Sequence, residues 1–433
     1  MNAPTPVPPG ASRAARVQQI VSPGGVAAWL VEDYAVPMVA VEFGFSGGAA
    51  QDPQGKAGAT ALLAGLLDEG AGDLDAAAFH RALDDHAIRL SFNAERDDFG
   101  GHLQSLTRHV GKAFELLALA VGSPRLDAAP LERVRGQINA MLRRDSTDPD
   151  AMAAQAWRRA AWPGHPYSRS PRGEQGEIDA VKREDLIALH GKLLARDRLK
   201  IAVVGAIDAA TLAVHLDAVF AGLPAKATLT PVPRADVAGL GRRIVVDLDV
   251  PQANIRFGRP GIPRRDPDYI AAMVVNHILG GGSFTSRLFQ EVREKRGLTY
   301  SVYSSLTTAE ASPSLIGATS TKNDRAAESL GVIEAECARL AEEGPSADEL
   351  EKARKYLVGS YALRFDTSTK IAGHLLQLQR EGLDAGYLDR RNAEVEAVTL
   401  DDARRVAKRL IGDASLLVAI VGRPEGIEEK HVG

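Results

Sequence analysis

The sequence predicts an α+β fold built from two similar halves. Three observations carry that prediction: a repeat within the chain, a short apolar strand closing each half, and one proline-rich break between them. Residues 130–136 read PLERVRG and residues 349–355 read ELEKARK, an offset of 219. Residues 185–205 (DLIALHGKLLARDRLKIAVVG) match 402–422 (DARRVAKRLIGDASLLVAIVG) at an offset of 217. Two separate matches at nearly one offset indicate duplication.

Each half runs through the same order of elements. An opening strand pair (Val26 to Phe45; Arg243 to Phe257) precedes a helical block, a strand-rich middle, long amphipathic helices and a closing strand. The closing strands, Leu199 to Val204 and Ser415 to Val421, are apolar runs ended by Gly205 and Gly422, as buried strands are. Between the halves, Leu223 to Arg243 carries three prolines and few large apolar residues, the composition of an exposed extended linker. The expected division is therefore a flexible segment at 1–15, a first half at 16–222, a linker at 223–242 and a second half at 243–433. Two such halves are expected to face each other, with a ligand in the cleft between them.

Composition narrows the function classes. A chain of 433 residues, 45% hydrophobic and 25% charged, is of ordinary globular type. Its 52 Lys and Arg against 56 Asp and Glu give a net charge of −4, with no electrostatic drive toward nucleic acid or anionic membrane. The single Cys337 excludes an internal disulfide or a thiolate cluster, and its helical spacing with Leu330, Ile333 and Leu340 marks it as a core thiol. No run of eighteen apolar residues occurs, so no membrane partner is expected. The opening MNAPTPVPPGASRAARVQQI has no apolar signal core. Its proline-rich character fits a start Met in place of a removed signal peptide, so a periplasmic location is expected, with the cytoplasm as the alternative.

The segment from Leu279 to Ser305, LGGGSFTSRLFQEVREKRGLTYSVYSS, concentrates the chemistry. Gly280, Gly281 and Gly282 open a helix expected from about Thr285, with Ser283 or Thr285 as N-cap. Leu288, Phe289 and Val292 form its buried face, Lys295 and Arg296 its last turn, and Gly297 its stop. The strand from Leu298 to Leu306 is expected to alternate, with Leu298, Tyr300 and Val302 on one side and Thr299, Ser301 and Tyr303 on the other. Arg293 and Tyr300 flank the turn. A guanidinium and a phenol together suit a peptide carbonyl or the oxyanion formed from it, although spacing alone equally describes a solvated charge and a packed ring. As a phosphate site the glycines are weak, because neither G-x-x-x-x-G-K-[ST] nor G-x-G-x-x-G is present.

GGGSFTSRLFQEVREKRGLTYSVYSS resembles the second-half motif of the pitrilysin-type zinc peptidases (M16), in particular the two-half M16B type related to mitochondrial processing peptidase subunits. The resemblance covers nearly the whole chain and implies halves of the LuxS/metallopeptidase-like fold, each a mostly antiparallel sheet packed by helices. It further implies that Arg293 and Tyr300 project into a central chamber and bind substrate backbone near the zinc, with Gly280, Gly281, Gly282 and Ser283 as substrate-binding neighbours.

The first half departs from that family at the metal. The stretch equivalent to His-x-x-Glu-His is GKAGATALLAGLLDEG, whose motif positions are Ala61, Ala64 and Gly65. Zinc chemistry requires two imidazoles at i and i+4 and a carboxylate to activate water, and none of these three residues supplies either. Around Gln137 to Asn139, where the family's third ligand belongs, there is no carboxylate; Glu132 recurs as Glu351 and reads as a helix-surface residue of the repeat. His80 and His86 are six apart, and His102 and His109, seven apart, read as solvent-facing imidazoles sharing a helix face. No metal is expected in this chain. The resemblance therefore implies a metal-free subunit, inactive alone, that lends Arg293 and Tyr300 to a zinc endopeptidase complex. Its partner would be an M16B chain carrying His-x-x-Glu-His and the zinc, in a heterodimer or larger assembly, and its substrates peptides or unfolded segments. The alternative is a catalytically dead structural core protein or peptide-binding scaffold.

Overall fold

A computed structural model describes residues 16–429; the segment expected to be flexible, 1–15, lies outside the described residues. The chain forms two compact units that do not follow its sequence halves. One unit contains the residues up to 142 together with 170–231 and 362–390; the other contains 143–169, 232–361 and the residues from 391 onward. The contiguous halves 16–222 and 243–433 are thus not the packed bodies, because each sheet takes up one helix encoded in the other half. The stretch 223–242 forms neither helix nor strand and is largely exposed.

The first unit holds strands β1 (Gln18–Val21), β2 (Ala27–Glu32), β3 (Met38–Ser46), β4 (Gly70–Ala71), β5 (Leu74–Asp75), β6 (Arg89–Ala94), β7 (Asp98–Leu106) and β8 (Leu199–Gly205). Apart from the β4–β5 hairpin, they form one sheet in the order β1-β2-β8-β3-β7-β6. All its neighbours are antiparallel except β2 and β8. The second unit holds β9 (Arg243–Val246), β10 (Gln252–Pro260), β11 (Thr299–Thr307), β12 (Ser314–Lys322) and β13 (Leu417–Val421), in the order β11-β12-β10-β13-β9. There, only β13 and β9 run parallel. The duplication extends to register: Ala40 faces Val204 across β3 and β8, and Asn254 faces Val421 across β10 and β13.

Alternation along the central strands explains why each sheet accepts a helix on both faces. Val39, Val41, Phe43 and Phe45 of β3 enter the first core, where Phe43 and Phe45 pack with Phe220. Ala253, Ile255 and Phe257 of β10 do the same in the second, which also buries Cys337 and pushes its thiol pKa up to about 12 by desolvation. On the opposite face each central strand carries a glycine where a helix side chain comes close. A Cβ on Gly44 would fall on the guanidinium of Arg380, and one on Gly258 would lie 2.6 Å from Trp157 Cζ2. Arg380 ends the helix Ser368–Arg380 of the first unit, and Trp157 lies in the helix Pro149–Ala161 of the second. The latter begins at Asp148, whose side chain accepts from the Ala151 N–H, with Pro149 at the first helical position.

Each exchanged helix also donates a side-chain hydrogen bond to its closing strand. Trp157 Nε1 donates to the Leu417 carbonyl at 3.0 Å and Gln379 Nε2 donates to the Ile201 carbonyl at 2.9 Å. Leu417 and Ile201 each stand one residue before the parallel neighbour begins its pairing, at Val418 and Ala202 respectively.

The repeated E-x-x-R sequence has an equally concrete role. Arg135 donates to the carbonyls of Asp179 and Val181, both at 2.9 Å, and Arg354 to those of Glu396 and Val398 at 3.0 and 3.2 Å. In both units the arginine fixes the turn that leads into the last long helix before the closing strand. Its partner carboxylates, Glu132 and Glu351, stay at the surface.

The segment that carries Arg293 is fastened by a two-point ion pair. Arg287 Nε and Nη2 reach Glu349 Oε1 and Oε2 at 2.6 and 2.8 Å, and Nη2 also donates to the Gly344 carbonyl. Glu349 in turn accepts from the Ser346 N–H at 2.8 Å, closing the start of the helix Ala347–Tyr361. Burial raises the Glu349 pKa, but hydrogen bonds from Arg287 and Ser346 outweigh it and hold the carboxyl at about 2.

Two stability predictions follow from these contacts. Trp157→Phe keeps an aromatic ring but removes the donor to the Leu417 carbonyl, and should cost about 0.5–1.5 kcal/mol; Trp157→Ala should cost about 3–5 kcal/mol. Urea titration followed by circular dichroism checks both. Because the folded-state pKa of Glu349 lies below its ordinary value, its contribution is complete above about pH 4.5 and disappears as pH falls toward about 2. Glu349→Gln should therefore lower the urea midpoint at pH 7, with the gap from the parent closing progressively between those limits.

Candidate functional site

The three glycines are packing residues first. A Cβ on Gly280 would lie 2.5 Å from the backbone N and the Oγ of Ser304, and one on Gly282 would lie 2.7 Å from the His277 carbonyl. Gly281 approaches the Asn276 side chain, which in turn accepts a 2.8 Å hydrogen bond from Ser304 Oγ. Gly280 and Gly282 are buried, whereas Gly281 and Ser283 are exposed. The helix Tyr269–Asn276 unwinds into a π turn at His277–Gly281, and this close approach to β11 is what its glycines permit.

Beyond the glycines the structure departs from the expected regular helix. Ser283–Thr285 form a single 3₁₀ turn, with Ser283 in the left-handed region at φ +47°. The extended residue that starts the next helix is Ser286, so the N-cap is neither Ser283 nor Thr285. Ser286 Oγ donates instead to the Ser283 carbonyl, locking the turn before it. From Phe289 to Glu294 the helix is π-wound. Its end follows suit: the Gly297 N–H donates to the Arg293 carbonyl and the Leu298 N–H to the Val292 carbonyl, with Gly297 at φ +59°. This is a glycine-terminated closure one residue wider than the α-helical form.

Tyr300 owes its position to a second irregularity. Pairing between β11 and β12 steps from Thr299 opposite Thr321 to Val302 opposite Thr319, which places one extra residue in β11. The expected alternation fails at that point: Leu298 and Val302 are buried, but Tyr300 is 85% exposed rather than on their side. Side chains satisfy the bulge. The Ser301 carbonyl accepts from Thr319 Oγ1 at 2.9 Å, and the Ser301 N–H donates to Thr299 Oγ1 at 3.2 Å.

These two distortions bring Arg293 and Tyr300 together. The Arg293 guanidinium carbon lies 4.7 Å from the Phe289 ring centre and 5.5 Å from that of Tyr300. Arg293 Nη1 donates to Glu294 Oε1 at 2.8 Å across an exposed surface. An arginine has five N–H donors, so a guanidinium set between two rings retains capacity for an incoming acceptor, with the Tyr300 ring beside it. The arrangement can hold a carbonyl or an oxyanion.

The metal positions of the first unit are filled by packing. Ala61 and Ala64 lie on the short helix Ala59–Ala64 and Gly65 caps its end, among Leu62, Leu63, Leu66 and Leu67, all fully buried. A Cβ at Gly65 would sit 2.8 Å from Val134 Cγ1. These residues do not fit zinc, and among the described residues no three His, Cys, Asp or Glu side chains gather closely enough to hold a metal ion. Asn139 donates to Asp179 at 2.7 Å, where a third ligand would belong. His102 lies on β7 against Glu42 at 2.7 Å, while His109 lies on a 3₁₀ turn and meets the ring of His86 instead, so the two do not share a helix face. The sequence reading missed one group here. Glu69 pairs with Arg133 and approaches His80, and burial raises the adjacent Asp68 to a pKa of about 6.

Comparison with known proteins agrees with this reading of the fold. Residues 180–357 match the family described as the peptidase M16 inactive domain. A Helicobacter pylori protein named non-peptidase homolog YmxG is 26% identical over 359 residues, 83% of each chain. A Streptomyces coelicolor protein named as an uncharacterized zinc protease is 35% identical over 191 residues, 44% of this chain and 41% of its own length. The crystal structure of a peptidase M16 inactive domain from Pseudomonas fluorescens superposes with a TM-score of 0.88 at 26% identity, over 96% of this chain and 100% of that one. With a family match over residues 180–357, a relative aligned over most of both lengths and a shared fold, the chain is similar to M16 peptidase-family proteins over nearly its whole length.

Proposed function

We propose that this chain is the metal-free subunit of a two-chain M16B zinc peptidase. The observation that carries the reading is the pair of half-buried Arg293 and exposed Tyr300, with the Arg293 guanidinium carbon 5.5 Å from the Tyr300 ring centre, set by a π turn and a β-bulge. Zinc and its water belong, in this proposal, to a partner bearing His-x-x-Glu-His. Arg293 orients the substrate carbonyl through its planar donors. The Tyr300 hydroxyl adds a donor toward the oxyanion as the carbonyl carbon becomes tetrahedral. Peptides and unfolded segments are the substrates, and export to the periplasm belongs to the same proposal.

A second reading has specific support. The relative named a non-peptidase homolog suggests a scaffold that has lost hydrolysis altogether. The two readings separate in a reconstitution experiment. Mixed with a His-x-x-Glu-His M16B chain, the protein should yield cleavage of a short fluorogenic peptide that a chelator abolishes, while alone, with zinc added, it should cleave nothing. Arg293→Ala or Tyr300→Phe should lower the reconstituted rate on the order of 10²-fold. Unchanged rates in both variants would favour the scaffold, and chelator-sensitive hydrolysis by the single chain would overturn the subunit assignment.

A further inference from the structure

Phe284 is 68% exposed, one of the most exposed large apolar side chains in the described residues, and its backbone is built to keep it so. Ser283 before it takes a left-handed conformation that a serine rarely adopts. Three side chains hold the turn: Thr285 Oγ1 donates to the Gly282 carbonyl at 3.0 Å, Ser286 Oγ to the Ser283 carbonyl at 2.9 Å, and Gln290 Nε2 to the Phe284 carbonyl at 2.6 Å. The ring meets Phe289 edge-on at 5.0 Å. Phe289 carries Arg293 on its face, and Arg293 reaches Tyr300. Phe284, Phe289, Arg293 and Tyr300 thus form a continuous row, apolar and exposed at one end and hydrogen-bonding at the other.

We infer that Phe284 determines specificity, selecting a peptide with an aromatic or large aliphatic side chain close to the carbonyl held by Arg293 and Tyr300. The inference rests on the proposed peptide-binding role of that pair and deepens it. An extended peptide projects side chains to both sides of its backbone. A carbonyl engaged at Arg293 therefore leaves a neighbouring side chain within the span of the row. A ring exposed beside a cation recognises apolar bulk next to a polar backbone, and discriminates against small side chains.

The test uses fluorescein-labelled octapeptides of alanine and serine, with one phenylalanine scanned through each position, and an all-small control. Fluorescence anisotropy reads binding to the full chain. The parent should bind the best phenylalanine peptide about tenfold more tightly than the control. Phe284→Ala should bring that ratio close to one, and Phe284→Leu should restore most of it. Arg293→Ala should weaken both peptides while keeping the ratio. Circular dichroism melts matching the parent confirm that the variants fold. A ratio unchanged in Phe284→Ala, with Arg293→Ala still weakening both peptides, overturns this inference and spares the clamp. Binding that is absent in the parent, or indifferent to Arg293→Ala, overturns both.

Discussion

The architecture depends on a buried carbonyl at the start of each closing strand. Ile201 and Leu417 lie on central strands, paired antiparallel with Phe43 and Gly258, and each carbonyl takes a side-chain donor from a helix as well. The donor comes from a helix laid on the second face, as Gln379 in one unit and Trp157 in the other. Each such bond ties a helix onto the second face of its sheet. That packing accounts for the glycines at equivalent places on the central strands, Gly44 and Gly258, which leave room for Arg380 and Trp157. It also couples distant segments of sequence, because neither sheet is complete without a helix from the other half of the chain.

With both faces covered, each core is stiff enough to carry local departures from regular geometry. The site of the second unit is made of such departures: two π turns, a left-handed serine and a one-residue bulge. Each is tied down by identifiable bonds. Arg287 and Glu349 fix the start of the π-wound segment, Gly297 closes its end, and Thr299 and Thr319 satisfy the bulge. Strain placed on so many anchors yields one position for Arg293 and Tyr300 rather than a range of them.

Much of this was legible in the sequence, for physical reasons. The duplication showed because both units use the same arginine to grip the same turn, as Arg135 and Arg354 do. The closing strands showed because burial in the middle of a sheet demands short, mostly apolar runs. What stayed hidden depends on contacts far apart in sequence. Periodicity cannot reveal that Pro149–Ala161 packs on a sheet whose strands begin at Arg243, since an amphipathic helix does not encode which sheet it covers. Nor does alternation announce its own exception at Tyr300, because the extra residue is detectable only against the partner strand. The π winding escaped notice for a similar reason: Leu288, Phe289 and Val292 suit an α-helical face equally well.

The two halves have diverged in opposite senses from one plan, and packing shows that the divergence runs deeper than the identities of ligands. At the metal positions of the first unit, Gly65 is closed against Val134, while Leu62, Leu63, Leu66 and Leu67 fill the surrounding interior. An imidazole placed at 65 would have to displace Val134 from the helix Ala128–Asp145, the same helix that carries Arg135 and its grip on the turn at Asp179 to Val181. At these positions the described core is closed by packing. In the second unit the core is ordinary, yet the surface above it keeps Tyr300 and Phe284 in water and Arg293 between rings, at a cost in backbone strain and unburied apolar area. A half that served only as a scaffold would gain stability by folding those rings inward. Their retention in the open, beside a cation with donors to spare, is the physical ground on which the proposed contact with a peptide rests.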